Sequence, residues 1–293
     1  MIRGTTRVAV VIGWPVEHSR SPQMFEAAFA EAGIDAVMVP IGVPPESFAH
    51  VVGALRAMRA YGACVTVPHK LAAAALCDEL SEAARTVGAV NCLHFVGNRL
   101  VGHNTDCHGF TDGLIAAGFE PEGKRCVILG AGGAARAIAY GLRVADAGAI
   151  DVIARRPQRV AWTTARPWTT VDLRSSFARA DVVIDATTMG LAETDTTSIA
   201  SPGSAGARST PGGSAESIDA LPLDALRKDA VVATLVYHHN TLLLERASAL
   251  GHSIIDGRGM LLHQGARAFA IWAGMLPPIQ AMQRALDASL VGT

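Results

Sequence analysis

Residues 125–137 read RCVILGAGGAARA. Arg125 to Leu129 is a short apolar run with two β-branched residues, the pattern of a buried strand. Gly130-Ala131-Gly132-Gly133 follows at once, and a helical pattern runs from Ala134 to about Val144. Glycines between a strand and a helix let the backbone turn tightly and approach a pyrophosphate, whose charge the helix N-terminus stabilises. A bare glycine pattern is an ordinary turn as readily as a nucleotide loop. The strand before it and the helix after it favour the nucleotide, with Gly130, Ala131, Gly132, Gly133 and Ala134 as the binding segment.

The next strand, Asp151–Ala154, runs into Arg155-Arg156-Pro157, with Arg159 close by. A carboxylate at that strand end would bind the ribose 2′-hydroxyl of NAD, whereas arginine accommodates the 2′-phosphate of NADP. No carboxylate stands there, and the arginine fork suits phosphate. Arg155 and Arg156 therefore predict NADP; the alternative is a solvated basic turn.

Further strands are expected at Asp181–Ala186 and Ala230–Tyr237, and in the N-terminal half at Arg7–Gly13, Ala36–Pro40 and Cys64–Val67. Helical spacing appears from Ser21, with Ser21 as N-cap and Pro22 at the first helical position, over Ser47–Ala60, and over the alanine-rich stretch His69–Leu80. Thr241–Leu250, Met260–Gly274 and Ile279–Leu290 close the chain as helices. Strands alternating with helices predict an α/β protein with parallel sheets covered on both faces. Residues 192–220 are dominated by Ser, Thr, Gly, Ala and Pro. They bury too little to offset ordering entropy and are expected to form a flexible insertion.

The 293 residues suggest two domains. With 50% hydrophobic and 17% charged residues, two cores are feasible and global disorder is excluded. A net charge of -1 argues against a nucleic-acid partner. Five cysteines with no CxxC pair suggest neither a disulfide framework nor a zinc ribbon. His238, His239 and His263 form no recognisable metal set, so no metal is expected. The N-terminus reads as a first strand, and no apolar run reaches the roughly 18 residues of a spanning helix. A cytoplasmic protein without membrane contact is expected, as a monomer or homodimer.

Four polar stretches in the N-terminal half carry further chemistry: His18-Ser19-Arg20-Ser21-Pro22, Cys64-Val-Thr66-Val-Pro-His-Lys70, Gly88-Ala-Val-Asn91 and Asn104-Thr105-Asp106. Each alone has a plain explanation: Ser19, Ser21 and Asp106 as helix caps, Thr66 as a strand residue, Lys70 as an exposed helix lysine. In order, and joined by Gly130–Gly133 and Asp256-Gly-Arg-Gly-Met260-Leu-Leu-His-Gln264, they resemble the shikimate dehydrogenase family over almost the whole chain.

That resemblance implies a substrate-binding domain (1–106 with 260–293), a Rossmann-type NADP-binding domain (107–259) and a substrate in the cleft between them. The implied reaction interconverts shikimate and 3-dehydroshikimate, with Lys70 and Asp106 as the catalytic pair. Ser19 and Ser21 would bind the substrate carboxylate; Thr66, Asn91, Asp106 and Gln264 would bind ring hydroxyls, and Tyr237 would stand near the carboxylate. Thr187 and Gly257 would join the cofactor site. Oxidising an alcohol requires loss of the hydroxyl proton as hydride leaves, which a lysine in hydrogen-bonding reach can manage while a carboxylate orients both groups.

The chain also departs from the family pattern. Cys64 stands where asparagine is usual, and a thiol pairs a hydroxyl far more weakly than an amide does. In a strand, residues two apart share a face, so Cys64 is expected beside Thr66 in the substrate pocket. Trp14 replaces a small polar residue, and Arg258 a leucine; Arg258 either reaches an anionic substrate or points to water. These changes keep two alternatives open: a paralogue acting on quinate, aminoshikimate or another cyclic hydroxy acid, and a non-catalytic ligand sensor.

Overall fold

The computed structural model describes residues 2–187 and 220–291, the last by its backbone alone. The expected 192–220 insertion lies outside the described residues except for Ala220. The chain divides into two compact units, 1–113 with 259–293, and 114–258.

The first unit is built on β1 (Arg7–Gly13), β2 (Ala36–Gly42), β3 (Gly62–Val65), β4 (Glu79–Leu80), β5 (Cys92–Val96) and β6 (Arg99–His103), in the order β2-β1-β3-β5-β6-β4. Because β1 is central, five consecutive residues are buried, and they alternate between faces. Ala9 and Val11 enter one core with Met24, Phe25 and Phe29 of α1 (Ser21–Glu31). Val10 and Ile12 enter the other, with Phe48 and Val52 of α2 (Phe48–Ala57) and Ala73 of α3 (Lys70–Leu76). A short helix, α4 (Glu82–Val87), precedes β5.

Three expectations change here. The sheet is mixed, because β5 pairs antiparallel with both β3 and β6. The β5–β6 turn is Gly97-Asn98, with φ of 59° at Gly97, a conformation glycine adopts without strain. The alanine-rich helix ends at Leu76, because Glu79 and Leu80 pair with Val101 and Gly102 of β6. The Asp78 carboxylate accepts the Leu100 N–H at 2.7 Å, so sheet pairing overrides alanine propensity. Arg20, not Ser21, occupies the N-cap of α1; Ser21 is the first helical residue, and its N–H donates to Ser19 Oγ at 3.3 Å.

The second unit is a wholly parallel sheet of β7 (Arg125–Leu129), β8 (Ala149–Ala154), β9 (Ala165–Pro167), β10 (Val182–Asp185), β11 (Val231–Thr234) and β12 (Ser253–Ile255). Its order is β12-β11-β10-β7-β8-β9, the doubly wound arrangement of a Rossmann fold. The order reverses between β7 and β10, and ligands of such sheets bind at the carboxyl ends flanking that reversal. The connecting helices are α5 (Asp106–Ala116), which enters the unit, α6 (Gly133–Val144), α7 (Thr170–Phe177) and α8 (Leu242–Ala249). Thr241, expected inside the last of these, caps it: its hydroxyl accepts the Leu244 N–H.

Two helices end the chain: α9 (Arg258–Ala273) and α10 (Ile279–Val291). Phe269 and Trp272 of α9 and Met282 and Leu286 of α10 complete the core shared with α1. Trp272 Nε1 donates to Leu93 O at 3.1 Å, and its ring crosses Gly62, where a Cβ would lie 2.2 Å from the indole. No described helix is long and apolar enough to cross a membrane.

Gly62→Ala must displace that buried indole and should cost about 1–3 kcal/mol. Gly53→Ala, exposed in α2 with open space at its Cα, should be neutral or gain up to about 1 kcal/mol. Urea unfolding of both variants checks the contrast; equal effects would contradict this packing.

Candidate active site

Four strand ends meet at one edge of the first sheet. β1 and β3 are parallel, so Gly13 and Val65 leave the sheet side by side. β5 runs antiparallel to β3, with Cys64 opposite Cys92, so its beginning lies at the same edge. β6 runs antiparallel to β5, with Cys92 opposite His103, so its end returns there. Four segments of the motif set therefore emerge together: 14–21, 66–70, 88–91 and 104–106.

The backbone binds these segments to one another. Thr66 N–H donates to Ile12 O at 2.9 Å, Val65 N–H to Asn91 O at 2.8 Å, and Asn91 N–H to His103 O at 3.1 Å. Val90 N–H reaches Lys70 O at 2.9 Å. Asn104 Nδ2 donates to Ala89 O at 3.0 Å, tying the last two segments together.

On this frame the side chains converge. Lys70 Nζ donates to Asp106 Oδ2 at 2.7 Å. Asn91 Nδ2 donates to Asp106 Oδ1 at 2.9 Å, so both oxygens of this carboxylate, only 6% exposed, are satisfied. That matters because an unpaired buried charge is strongly destabilising. The Lys70 side chain stays 30% exposed, so its free hydrogens face accessible space. Asn91 also exchanges bonds with Thr105, donating to its Oγ1 at 2.9 Å and accepting its N–H on Oδ1 at 2.6 Å.

Gln264 arrives from α9, which crosses α5 at glycines. A Cβ at Gly109 would stand 2.5 Å from Gln264 N, so glycine permits the approach. Gln264 Oε1 lies 3.3 Å from Asn91 Nδ2, and its own amide donates to Leu261 O at 2.9 Å. The Asn91 amide has two hydrogens for three acceptors, and Gln264 is the longest contact, hence the weakest.

Lys70, Asn91, Asp106 and Gln264 are thus joined by hydrogen bonds. Ser19 and Thr66 are half-buried and Ser21 is buried at the ends of the same strands. Tyr237 belongs to the second unit, where it lies edge-on to His238. Asp106 does not cap α5. It is the helix's first residue, and Asn104 Oδ1 takes the Cys107 N–H at 3.4 Å. Arg258 pairs with Asp256, its Nε donating at 2.5 Å.

Cys64 is buried beside Cys92 in the core. Burial, then the Asp106 charge, pushes its thiol up to about 12, with Lys70 opposing. It remains a neutral thiol, not a nucleophile. Among the described residues no group of His, Cys, Asp or Glu is placed to hold a metal ion.

Two contributors escaped sequence reading. Thr105 braces Asn91 through its hydroxyl and N–H. His69, 2% exposed, stacks on Phe48 at 4.4 Å and places Nε2 2.7 Å from Val43 O, anchoring the start of α3 beside Lys70. A histidine next to a lysine carries no pattern that announces either contact.

In the second unit, Gly130 ends β7 at the sheet's reversal with φ of 99°, its N–H held by Ile153 O at 2.8 Å. Positive φ suits glycine alone here, since a Cβ would also meet Ala186 O at 3.1 Å. Among the described residues nothing lies within 4 Å of a Cβ built on Gly132 or Gly133. Thr187 stands beside this loop, its N–H and hydroxyl both bound to Asp185 Oδ1. Arg155 and Arg156 are exposed directly after β8, and Arg155 lies 5.8 Å from the Trp168 ring centroid. At Gly257 a Cβ would fall 2.1 Å from Leu235 O, so backbone packing alone accounts for glycine there.

Residues 11–93 match the family model described as shikimate dehydrogenase substrate binding domain, and residues 257–286 that of the shikimate 5'-dehydrogenase C-terminal domain. The shikimate dehydrogenase (NADP(+)) of Acidiphilium cryptum is 38% identical over 298 residues, covering 100% of both chains. This chain belongs to the shikimate dehydrogenase family. A solved structure of the family, shikimate 5-dehydrogenase from Thermus thermophilus with NADP(H) and shikimate, superposes with a TM-score of 0.80 at 32% identity, covering 97% of this chain and 100% of that one. The ligand-free 5-ketofructose reductase of a Gluconobacter strain superposes at 0.78 with 31% identity, covering 98% and 100%.

The thiols give a direct check on this core. Burial leads in raising Cys64, Cys107 and Cys126 to about 12 and Cys77 to about 11, and it lifts Cys92 well above the ordinary range. At pH 8 the thiolate, the reactive form, is roughly one part in ten thousand for a thiol near 12 and roughly one part in a thousand for one near 11. Titration with an aromatic disulfide reagent should find almost no fast thiol in the native protein and all five after unfolding. A fast native thiol at Cys64 would contradict its burial.

Proposed function

We propose that this protein is an NADP-dependent dehydrogenase that interconverts shikimate and 3-dehydroshikimate. The observation that carries the reading is the Lys70–Asp106 ion pair, held through Asn91 at the edge where the strand ends converge. Full-length similarity to shikimate dehydrogenases supports the substrate and the cofactor.

The residues of the second unit fit NADP. The open Cα faces of Gly132 and Gly133 admit a close approach to the α6 N-terminus, where anions are stabilised. Gly130 to Ala134 would hold the pyrophosphate, Arg155 and Arg156 the 2′-phosphate, and Thr187 would flank the nicotinamide side. When bound, NADP⁺ accepts a hydride from the alcohol carbon, and NADPH returns it.

The chain's own residues manage the proton and the ring. In reduction, Lys70 Nζ donates a proton to the carbonyl oxygen as charge develops on it; in oxidation the Lys70–Asp106 pair takes the proton back. Asp106 holds Nζ in one position, so the donor need not be ordered during the reaction. Asn91 fixes Asp106 from the other side. Gln264, Thr66 and Asn91 would bind ring hydroxyls, and Ser19 and Ser21 the carboxylate. Tyr237 would join the carboxylate end. Cys64, buried in the core, would offer the ring no strong hydrogen-bond partner. Retention of this paired donor and acceptor argues against a sensor without turnover.

A second substrate reading rests on one observation. The Gluconobacter 5-ketofructose reductase resembles this chain about as closely as the Thermus enzyme does. We place the protein in the cytoplasm, as a monomer or homodimer; its free cysteines suit a reducing compartment.

The test follows reduced-nicotinamide absorbance with NADP⁺ or NAD⁺ against shikimate, quinate and, in reverse, 5-ketofructose. Rapid NADPH formation with shikimate is expected. Turnover of 5-ketofructose without shikimate activity would transfer the assignment to the second reading. Lys70→Ala should lower kcat about 10²–10⁴-fold while calorimetric NADP⁺ binding is retained. Undiminished turnover would remove Lys70 from the mechanism.

A further inference from the structure

The glycine loop is held by its two ends. Gly130 N–H is bound to Ile153 O at 2.8 Å, and Gly132 O accepts Arg136 N–H at 3.0 Å. The peptide between Ala131 and Gly132 has glycine on its C-terminal side and another glycine one residue upstream, so local sterics only loosely set its orientation. Among the described residues one side chain hydrogen-bonds to it: Trp162 Nε1 donates to Ala131 O at 3.2 Å.

That bond has a directional consequence. A trans peptide is planar, so its carbonyl and the following N–H point in opposite directions. Turning the Ala131 carbonyl toward the indole aims the Gly132 N–H away from it. No described group accepts the N–H of Ala131, Gly132 or Gly133, and Gly132 is the N-cap residue of α6. These are the donors an anion at a helix N-terminus would use. Trp162 is half-buried and follows the short 3-10 turn Pro157–Arg159, in the segment that begins with Arg155 and Arg156.

We infer that Trp162 is a positioning residue for dinucleotide binding: its indole N–H fixes the 131–132 peptide so that the Gly132 N–H is set for a pyrophosphate before the ligand arrives. The inference rests on the reading of Gly130–Ala134 as the pyrophosphate segment. Preorganisation of this kind raises affinity by removing an ordering cost at binding. Because Trp162 acts on the backbone of the glycine loop, its loss should appear in nucleotide affinity and not in the chemical step.

The experiment measures NADP⁺ binding by calorimetry for the intact protein, Trp162→Phe and Gly132→Val. Trp162→Phe keeps a ring but removes the donor, and should raise the NADP⁺ Kd about 3- to 10-fold. Its kcat at saturating NADP⁺ and its KM for shikimate should be unchanged. Gly132→Val should abolish binding. A normal Kd in Trp162→Phe with binding lost in Gly132→Val would overturn the role of Trp162 and leave the loop reading intact. A normal Kd in Gly132→Val would overturn the loop reading itself. A second measurement avoids variants altogether. In the ligand-free protein, hydrogen exchange of the Trp162 indole N–H, read by NMR, should be slowed relative to that of free indole. Exchange at the free-indole rate would overturn the inference whatever the variants do.

Discussion

A charged carboxylate that is nearly out of water must be matched on both oxygens, and Asp106 is matched by two residues from different parts of the chain. Lys70 supplies one donor and Asn91 the other. That requirement explains why the first sheet is mixed. In a purely parallel sheet β6 would still end where β3 ends, but β5 would begin at the opposite edge, and Asn91, which immediately precedes it, would be carried away from Lys70 and Asp106. The two-residue β5–β6 turn and the antiparallel β3–β5 pairing bring Lys70, Asn91 and Asp106 to one place. The glycine crossing of α5 and α9 adds Gln264 to the same network.

The second unit answers a different constraint. The groups proposed to bind an anion there are backbone N–H groups and a helix end, so what must be controlled is backbone orientation. Positive φ at Gly130 turns the chain at the sheet's reversal, and open space at Gly132 and Gly133 leaves the backbone approachable. Side chains enter as braces: Trp162 on the Ala131 carbonyl and Asp185 beneath Thr187.

Much of this was legible from sequence, and the exceptions share a cause. The strand Arg125–Leu129 and the strand Arg7–Gly13 were read to the residue, because buried parallel strands are unbroken apolar runs closed by glycine. The fold class and the convergence of Lys70, Asn91, Asp106 and Gln264 followed from ordered motifs. The β5–β6 hairpin carried a Gly-Asn signal but a partly polar strand around His94 and Arg99, which conceals its alternation. Residues 79–80 continued an alanine-rich helical pattern and yielded to pairing with β6, a tertiary effect that no local window contains. Thr105, His69 and Trp162 are not legible for a shared reason: each acts through a group supplied by a distant segment, the Asn91 side chain for Thr105 and a backbone carbonyl for His69 and Trp162. Arg258, open between two roles, is drawn to Asp256 two residues away.

The central claim is that Lys70 and Asp106 act as one proton-handling unit. A double-mutant cycle on kcat/KM for shikimate oxidation, with Lys70→Met, Asp106→Asn and the pair, tests it most directly. Residues that act as a unit are strongly non-additive, so the double variant should be little worse than the more damaged single one. Losses that multiply in full would mean that the two side chains contribute independently, and would contradict the account.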